Sequence, residues 1–102
     1  MTIGVVFTDI SEDYYRNILR RQSYFLAKNL NPNDVVLYLY AEEALDKSER
    51  ERIESQNERK EKVICLLDCL ERKPADAFPK FMNSLHETEQ DHVAEHIAKC
   101  KS

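Results

Sequence analysis

The apolar pattern of the segment VICLLDCL constrains the fold of this chain more than any other feature. Its apolar residues stand at positions i, i+3, i+4 and i+7, namely Val63, Leu66, Leu67 and Leu70. This spacing places side chains on one face of an α-helix. Asn57 precedes the segment and is a candidate N-cap. The pattern therefore predicts an amphipathic helix that buries one face in a core.

Glycine is almost absent from the chain, since Gly4 is the single one among 102 residues. A glycine-rich phosphate loop is thereby excluded, and short helices joined by tight, capped connections are favoured. The pattern predicts five further helices: residues 11–30, residues 35–45, residues 48–55, a segment opened by Pro74 and Asp76, and a segment in which Thr88 and Asp91 form a capping box.

Local signals refine the first two of these helices. Ser11 is a candidate N-cap of the first helix, and Gln22 interrupts its apolar stripe, so that a bend is expected there. Pro32 disfavours helical geometry in the residue before it, which separates the two helices. Asn33 or Asp34 is then expected to cap the second helix.

A different fold class remains open at this point. The runs IGVVF, DVVLYLY and KVICLLDCL are each short and apolar enough to be buried strands of a small α/β domain. Against this alternative, the runs lack turn residues at both ends, and the third fits the helical period better. The all-α interpretation is therefore preferred.

Composition excludes several classes of protein. A net charge of −4 argues against a nucleic-acid binder, and no apolar run approaches the roughly 20 residues that span a bilayer. The start of the chain lacks the features of a signal peptide. Three cysteines are an odd number, which favours reduced thiols in the cytoplasm over a disulfide framework. We interpret Cys65 and Cys69 as small buried or half-buried apolar residues.

The segment HVAEH matches the H-x-x-E-H pattern of a zinc-binding helix, in which His92 and His96 share one face. A catalytic zinc site needs a third ligand and a cleft for substrate. The residues after His96 supply no acidic ligand, and His86 lies at the far end of the preceding helix. The two histidines are therefore expected to face solvent on the last helix.

Three segments, ILRRQSYFLAKNL, VVLYLYAEEAL and KVICLLDCLERKPADAFPKFMNSLHETEQDHVAEHI, resemble a caspase recruitment domain (CARD) of the death-fold superfamily. The last segment is the most specific. The likeness covers most of the chain. Among members of this family, the chain is similar to the prodomains of initiator caspases and to their adaptors. It implies an all-α, six-helix antiparallel bundle of Greek-key, death-fold type. We expect residues 1–10 to be an N-terminal extension, residues 11–100 the domain and residues 101–102 a tail.

Two departures from the family pattern concern glycine. The family often has a glycine near the end of the second helix, where this chain has Glu43, Ala44 and Leu45. Without that glycine, the second helix is expected to run longer, to residue 45. The turn between the fourth and fifth helices also usually carries glycine, and here Lys73 and Pro74 take its place.

The resemblance implies a non-enzymatic module with no catalytic residue, cofactor or metal. Such modules bind another CARD-containing protein, a caspase or an adaptor, in apoptotic or inflammatory signalling and innate immunity. One domain's basic face docks on the acidic face of the next, so that copies of this chain are also candidate partners, head to tail. Neither nucleic acid nor membrane is expected as a partner.

The charges of the sequence fit two such faces. The expected basic face combines residues of the first and fourth helices: Arg16, Arg20, Arg21, Arg59, Lys60 and Lys62. The expected acidic face combines residues of the second and third helices: Glu42, Glu43, Asp46, Glu49, Glu51 and Glu54. Mixed-charge runs are also common on solvated helices, where ion pairs contribute only about 0.3–0.5 kcal/mol each.

Two other functions are compatible with the sequence. A small α/β or helical domain that binds a ligand or metal is the alternative if the CARD likeness is coincidental. A free-standing decoy that blocks assembly shares every feature of an activating module, and the residues do not separate the two.

Overall fold

The computed structural model describes residues 12–99, and this part of the chain contains helices and no strand. The helices are α1 (Glu12–Arg21), α2 (Ser23–Asn29), α3 (Pro32–Ala41), α4 (Lys47–Glu54), α5 (Arg59–Glu71), α6 (Ala77–Glu87) and α7 (Asp91–Ala98). The all-α prediction is confirmed, and the α/β alternative is wrong here because DVVLYLY lies in α3 and KVICLLDCL in α5. The run IGVVF, the Ser11 cap and the predicted extension lie outside the described residues.

The first predicted helix is divided in two, which accounts for seven helices within residues 12–99 where six were predicted. Gln22 separates α1 from α2 with φ −92° and ψ 4°. Its N–H still donates to the carbonyl of Ile18 (2.9 Å), and its own carbonyl accepts from the N–H of Leu26 (2.8 Å). The bend predicted at this residue is therefore a one-residue break with continuous backbone hydrogen bonding.

Helix α3 ends at Ala41, so the longer helix ending at residue 45 is wrong. Glu43 adopts a left-handed conformation with φ 65°. The N–H of Ala44 donates to the carbonyl of Leu39 (2.8 Å), and the N–H of Glu43 donates to that of Tyr40 (3.0 Å). These two bonds form a Schellman motif, the usual end of a helix at a left-handed residue. A glutamate thus takes the conformation that glycine adopts most easily.

The beginnings of three helices differ from the predicted caps. Asn31 caps α3, because its side chain accepts from the N–H of Asn33 (3.3 Å), and Pro32 occupies the first helical position, which its fixed φ suits. Neither Asn33 nor Asp34 is the cap. Glu58, rather than Asn57, precedes α5 in extended geometry.

The predicted capping box of Thr88 with Asp91 is also wrong. Thr88 follows α6 and its hydroxyl donates to the carbonyl of Ser84 (2.7 Å), while the left-handed Glu89 (φ 62°) turns the chain. Gln90 then precedes α7. The chain therefore leaves α6 at Thr88, which places that residue at the end of one helix and not at the start of the next.

Gln90 ties two connections together. Its side-chain oxygen accepts from the N–H of Asn31 (2.7 Å), and its amide nitrogen donates to the Asn31 carbonyl (3.1 Å) and to the hydroxyl of Thr88 (2.8 Å). Gln90 is only 7% exposed, so these bonds satisfy polar groups that water reaches poorly. The connection before α3 is thereby fixed to the connection before α7.

The core contains the apolar stripes that the sequence predicts. The stripe of α5 is buried, and apolar residues of the other helices complete the core: Tyr15, Ile18, Leu19, Leu26, Leu30, Ile53, Phe78, Phe81, Met82, Leu85, Val93 and Ile97. Phe25 is half-buried. Within residues 12–99, no helix has the length and apolar character needed to cross a bilayer.

Tyr15 joins three helices at the centre of this core. Its ring meets that of Phe78 edge to face with centroids 5.5 Å apart, and its hydroxyl donates to the carbonyl of Leu70. Burial raises the pKa of Tyr15 well above its usual range, so the hydroxyl remains a donor. Helices α1, α5 and α6 are held in register by this one side chain.

The two described cysteines are free thiols on α5. Cys69 is buried and Cys65 is half-buried, which confirms their interpretation as small apolar residues. Burial raises the pKa of the Cys69 thiol, and the nearby Arg52 guanidinium, whose Nη2 lies 2.9 Å from Sγ, opposes this effect in part. Cys69 is therefore a poor thiolate and serves in packing.

Candidate protein-interaction surfaces

Helix α5 separates the helices that carry the two predicted charged faces. Arg20 of α1 approaches the side chain of Glu71 (Nη2 to Oε1, 3.4 Å), whereas Arg52 of α4 approaches Cys69. Two successive steps along an α-helix rotate a side chain by about 200°, so Glu71 and Cys69 point to opposite flanks of α5. Helix α1 therefore lies on one flank of α5 and α4 on the other.

The basic surface, defined as Arg16, Arg20, Arg21, Arg59, Lys60 and Lys62, lies along α1 and α5 in two groups. The first group surrounds the C-terminal end of α5. Arg16 Nε donates to the carbonyl of Glu71 (2.7 Å), and Arg20 is 70% exposed beside the same residue. Arg21 is exposed at the end of α1.

The second group lies at the N-terminal end of α5, about 18 Å from Glu71 by the rise of the helix. Arg59 Nη1 donates to the carbonyl of Leu30 (2.8 Å) and Nη2 to that of Lys28 (3.0 Å), so this side chain closes the end of α2. Lys62 Nζ donates to the carbonyl of Glu54 (3.1 Å), and Lys60 is exposed. The six residues share one region of the bundle without forming one continuous cluster.

The acidic surface, defined as Glu42, Glu43, Asp46, Glu49, Glu51 and Glu54, lies on α4 and on the connection between α3 and α4. Three of its carboxylates are free to meet a partner. Glu42, Glu43 and Glu51 are exposed, and no ion pair within residues 12–99 involves their side chains.

The other three carboxylates of the acidic surface have partners inside the domain. Asp46 and Glu49 form the capping box of α4, with reciprocal bonds of 2.8 and 2.9 Å. Glu49 also pairs with Lys73 at 2.8 Å, and Glu54 pairs with Arg50 at 3.0 Å. Each of these three carboxylates is thus already bonded within the domain, although Asp46 and Glu54 remain exposed.

Three exposed apolar side chains were not predicted from the sequence. Tyr24 is 72% exposed, Ile64 56% and Leu37 50%. The exposure of Ile64 could have been predicted, because its side chain points about 100° away from that of the neighbouring Val63 and thus off the buried stripe. The ammonium of Lys28 lies over the ring of Tyr24, 5.1 Å from its centroid, and the carbonyl of Lys28 accepts from Arg59, so this aromatic side chain lies near the second group of the basic surface.

The histidines of the zinc-like pattern are exposed, as expected. His92 and His96 face solvent on α7, and the ring of His96 stacks on Phe25 with centroids 3.7 Å apart and an interplanar angle of 11°. Among residues 12–99, no group of three or more histidine, cysteine, aspartate or glutamate side chains is placed to hold a metal ion.

Comparison with known proteins identifies the family. The family model of the caspase recruitment domain matches residues 16–99, which is most of the chain and includes all of α2 to α7. No curated protein and no solved structure gave a match. Domains of this family mediate protein–protein interaction and are not themselves catalytic. The helical bundle and the family match agree, and the chain belongs to the caspase recruitment domain family.

Proposed function

We propose that this CARD recruits another CARD, copies of itself included, by docking its basic surface on the acidic surface of the next molecule. The observation that supports this most strongly is the separation of exposed charge by α5. The arginines of α1 lie on one flank, and Glu42, Glu43 and Glu51 lie beyond the other. A contact between two different faces does not close on itself, so repetition gives open, head-to-tail assemblies.

The energetics of such a contact match a recruitment module. Complementary charges steer encounter and fix register more than they add affinity. Tyr24 supplies exposed apolar area beside the basic surface, and aromatic side chains are enriched among residues that dominate binding. Each contact is expected to be weak alone, and linked copies gain about 10²–10⁴ in apparent affinity.

The setting belongs to the same proposal. We place the domain at residues 11–100, preceded by an extension of residues 1–10, and we place the protein in the cytoplasm, in apoptotic or inflammatory signalling. The free thiols of Cys65 and Cys69 support a reducing compartment. The partners proposed are a caspase or an adaptor that carries a CARD.

A charge reversal tests the docking mode. The double variant Arg20→Glu/Arg21→Glu is expected to stop assembling with its own copies while it retains its fold, because the one ion pair that these two arginines form within residues 12–99 is exposed and contributes about 0.2–1 kcal/mol. The control Lys99→Glu reverses a charge at the end of α7, outside both surfaces, and is compared with Arg21→Glu alone. Binding is measured by sedimentation, and folding by circular dichroism.

A complementary variant makes the same test specific. Glu43→Arg/Glu51→Arg reverses the acidic surface at two carboxylates without an internal partner. The two reversed variants are expected to assemble with each other, whereas neither assembles with its own copies. Normal self-assembly of the doubly reversed basic variant would show that the basic surface is assigned wrongly.

A further inference from the structure

A basic notch lies where the end of α2 meets the beginnings of α3 and α5. Its volume is about 540 Å³, which is within the range of small-molecule sites. Three cationic and three carboxamide side chains line it: Lys28, Arg59, Lys62, Asn29, Asn31 and Asn33. No aspartate or glutamate is among its lining residues, although acidic residues outnumber basic ones in the chain as a whole.

Two of these cations are held in place by the backbone. Arg59 gives one N–H to the Leu30 carbonyl and one to the Lys28 carbonyl, and Lys62 gives one to the Glu54 carbonyl. A guanidinium has five N–H donors and an ammonium has three, so both groups keep donors for a ligand. Their order is established before binding, which lowers the entropic cost of binding.

Two acidic residues near these cations along the chain, Glu54 and Glu61, are bonded elsewhere. The carboxylate of Glu54 pairs with Arg50 (3.0 Å), and that of Glu61 accepts the N–H of Glu58 (3.3 Å) at the start of α5. Lys28 lies over the ring of Tyr24, which leaves its charge unneutralised. The positive charge of the notch therefore has no acidic side chain within it to offset it.

We propose that this notch binds a small anion that carries several phosphate groups. Six of its seven lining residues carry a cationic or carboxamide side chain, which suits a highly charged ligand better than an apolar one. The planar fork of Arg59 matches two oxygens of a phosphate, and the lysines act as point charges around it. The ligand is a free phosphorylated small molecule or the phosphorylated headgroup of a lipid, and both offer the same chemistry.

The notch shares Arg59 and Lys62 with the basic surface, so a bound anion competes with an acidic partner. The anion site itself does not depend on the proposed docking. The anion site is tested on the dilute chain without any partner. A negative result there would not contradict the docking proposal, which the charge-reversal variants test separately.

The test is calorimetric titration of the full chain with tripolyphosphate at fixed ionic strength. Sulfate, which has a single anionic group, is titrated for comparison. We expect one binding site. Lys28→Gln and Lys62→Gln should each weaken binding about tenfold, because each removes one charge-assisted contact. Lys47→Gln makes the same charge change on α4, outside the notch, and should alter the affinity less than twofold.

Three results would overturn the proposal: no binding of tripolyphosphate, equal binding of sulfate, or the same loss in Lys47→Gln as in the two notch variants. Vesicles that contain a phosphoinositide form the second arm. If the wild-type chain sediments with these vesicles and the Lys28→Gln and Lys62→Gln variants do not, the ligand is a lipid headgroup. Tripolyphosphate binding without vesicle binding identifies a free small molecule.

Discussion

Replacing Glu43 by glycine is expected to stabilise the domain. A left-handed conformation costs a residue with a side chain about 1–2 kcal/mol, and Glu43 has φ 65° at the end of α3. Glycine avoids that cost but loses about 0.5–1 kcal/mol more backbone entropy on folding. The difference predicts a gain of up to about 1.5 kcal/mol in the free energy of unfolding, with a midpoint of about 0.75 kcal/mol. For a domain of this size the midpoint corresponds to a rise in melting temperature of roughly 3–6 °C.

Differential scanning calorimetry of two matched variants makes this decisive. Glu42→Gly removes the same charge one residue earlier, where φ is −86° and glycine brings no conformational relief. That variant should lose about 0.5–1 kcal/mol. If Glu43→Gly melts at or below the wild type, as Glu42→Gly does, the Schellman motif is wrong and α3 continues toward Leu45.

Three further changes test the interior. Gln90→Leu should destabilise the domain by about 1–3 kcal/mol in urea titrations, since it leaves the part-buried N–H of Asn31 without its acceptor; an unchanged midpoint would contradict the bridge. Tyr15→Phe should cost about 0.5–1.5 kcal/mol because it deletes one hydrogen bond and keeps the ring, and a loss as large as that of Tyr15→Ala would show that packing was disturbed. In the folded protein, iodoacetamide should modify Cys65 well before Cys69, because burial restricts access to the Cys69 thiol and raises its pKa, and peptide mass mapping reads the order.

Fold class was predictable because periodicity is written directly in the chain. The stripe of Val63, Leu66 and Leu70 marks a buried helix face at any orientation of the neighbouring helices. Gln22 interrupted a stripe, and the helix breaks there. Such signals need only local spacing, which a sequence contains in full.

Helix ends were predicted less well, because a cap depends on backbone angles that several adjacent residues could adopt. Asn31, Asn33 and Asp34 are all suitable caps by type, and the position of Pro32 decides among them. Thr88 resembled a start and is an end, because the next residue turns left-handed. The choice lies in conformation rather than in composition.

The charged surfaces, too, were predictable only in part. The sign of each region could be read from the sequence, but the internal partners could not. Lys73 reaches Glu49 across 24 residues of chain, and Arg59 reaches the carbonyl of Leu30 across 29. Long-range contacts of this kind decide which charges remain exposed, and only the packed bundle reveals them.

Light scattering of the purified chain over a concentration series, at low and at high salt, tests the docking of unlike surfaces most directly. Docking of unlike charged surfaces predicts growth into large species at low salt and its suppression at high salt, because exposed charges are screened within about 10 Å at 0.1 M salt and within about 3 Å at 1 M. A monomeric mass at every concentration and salt, or growth that salt does not affect, would contradict it.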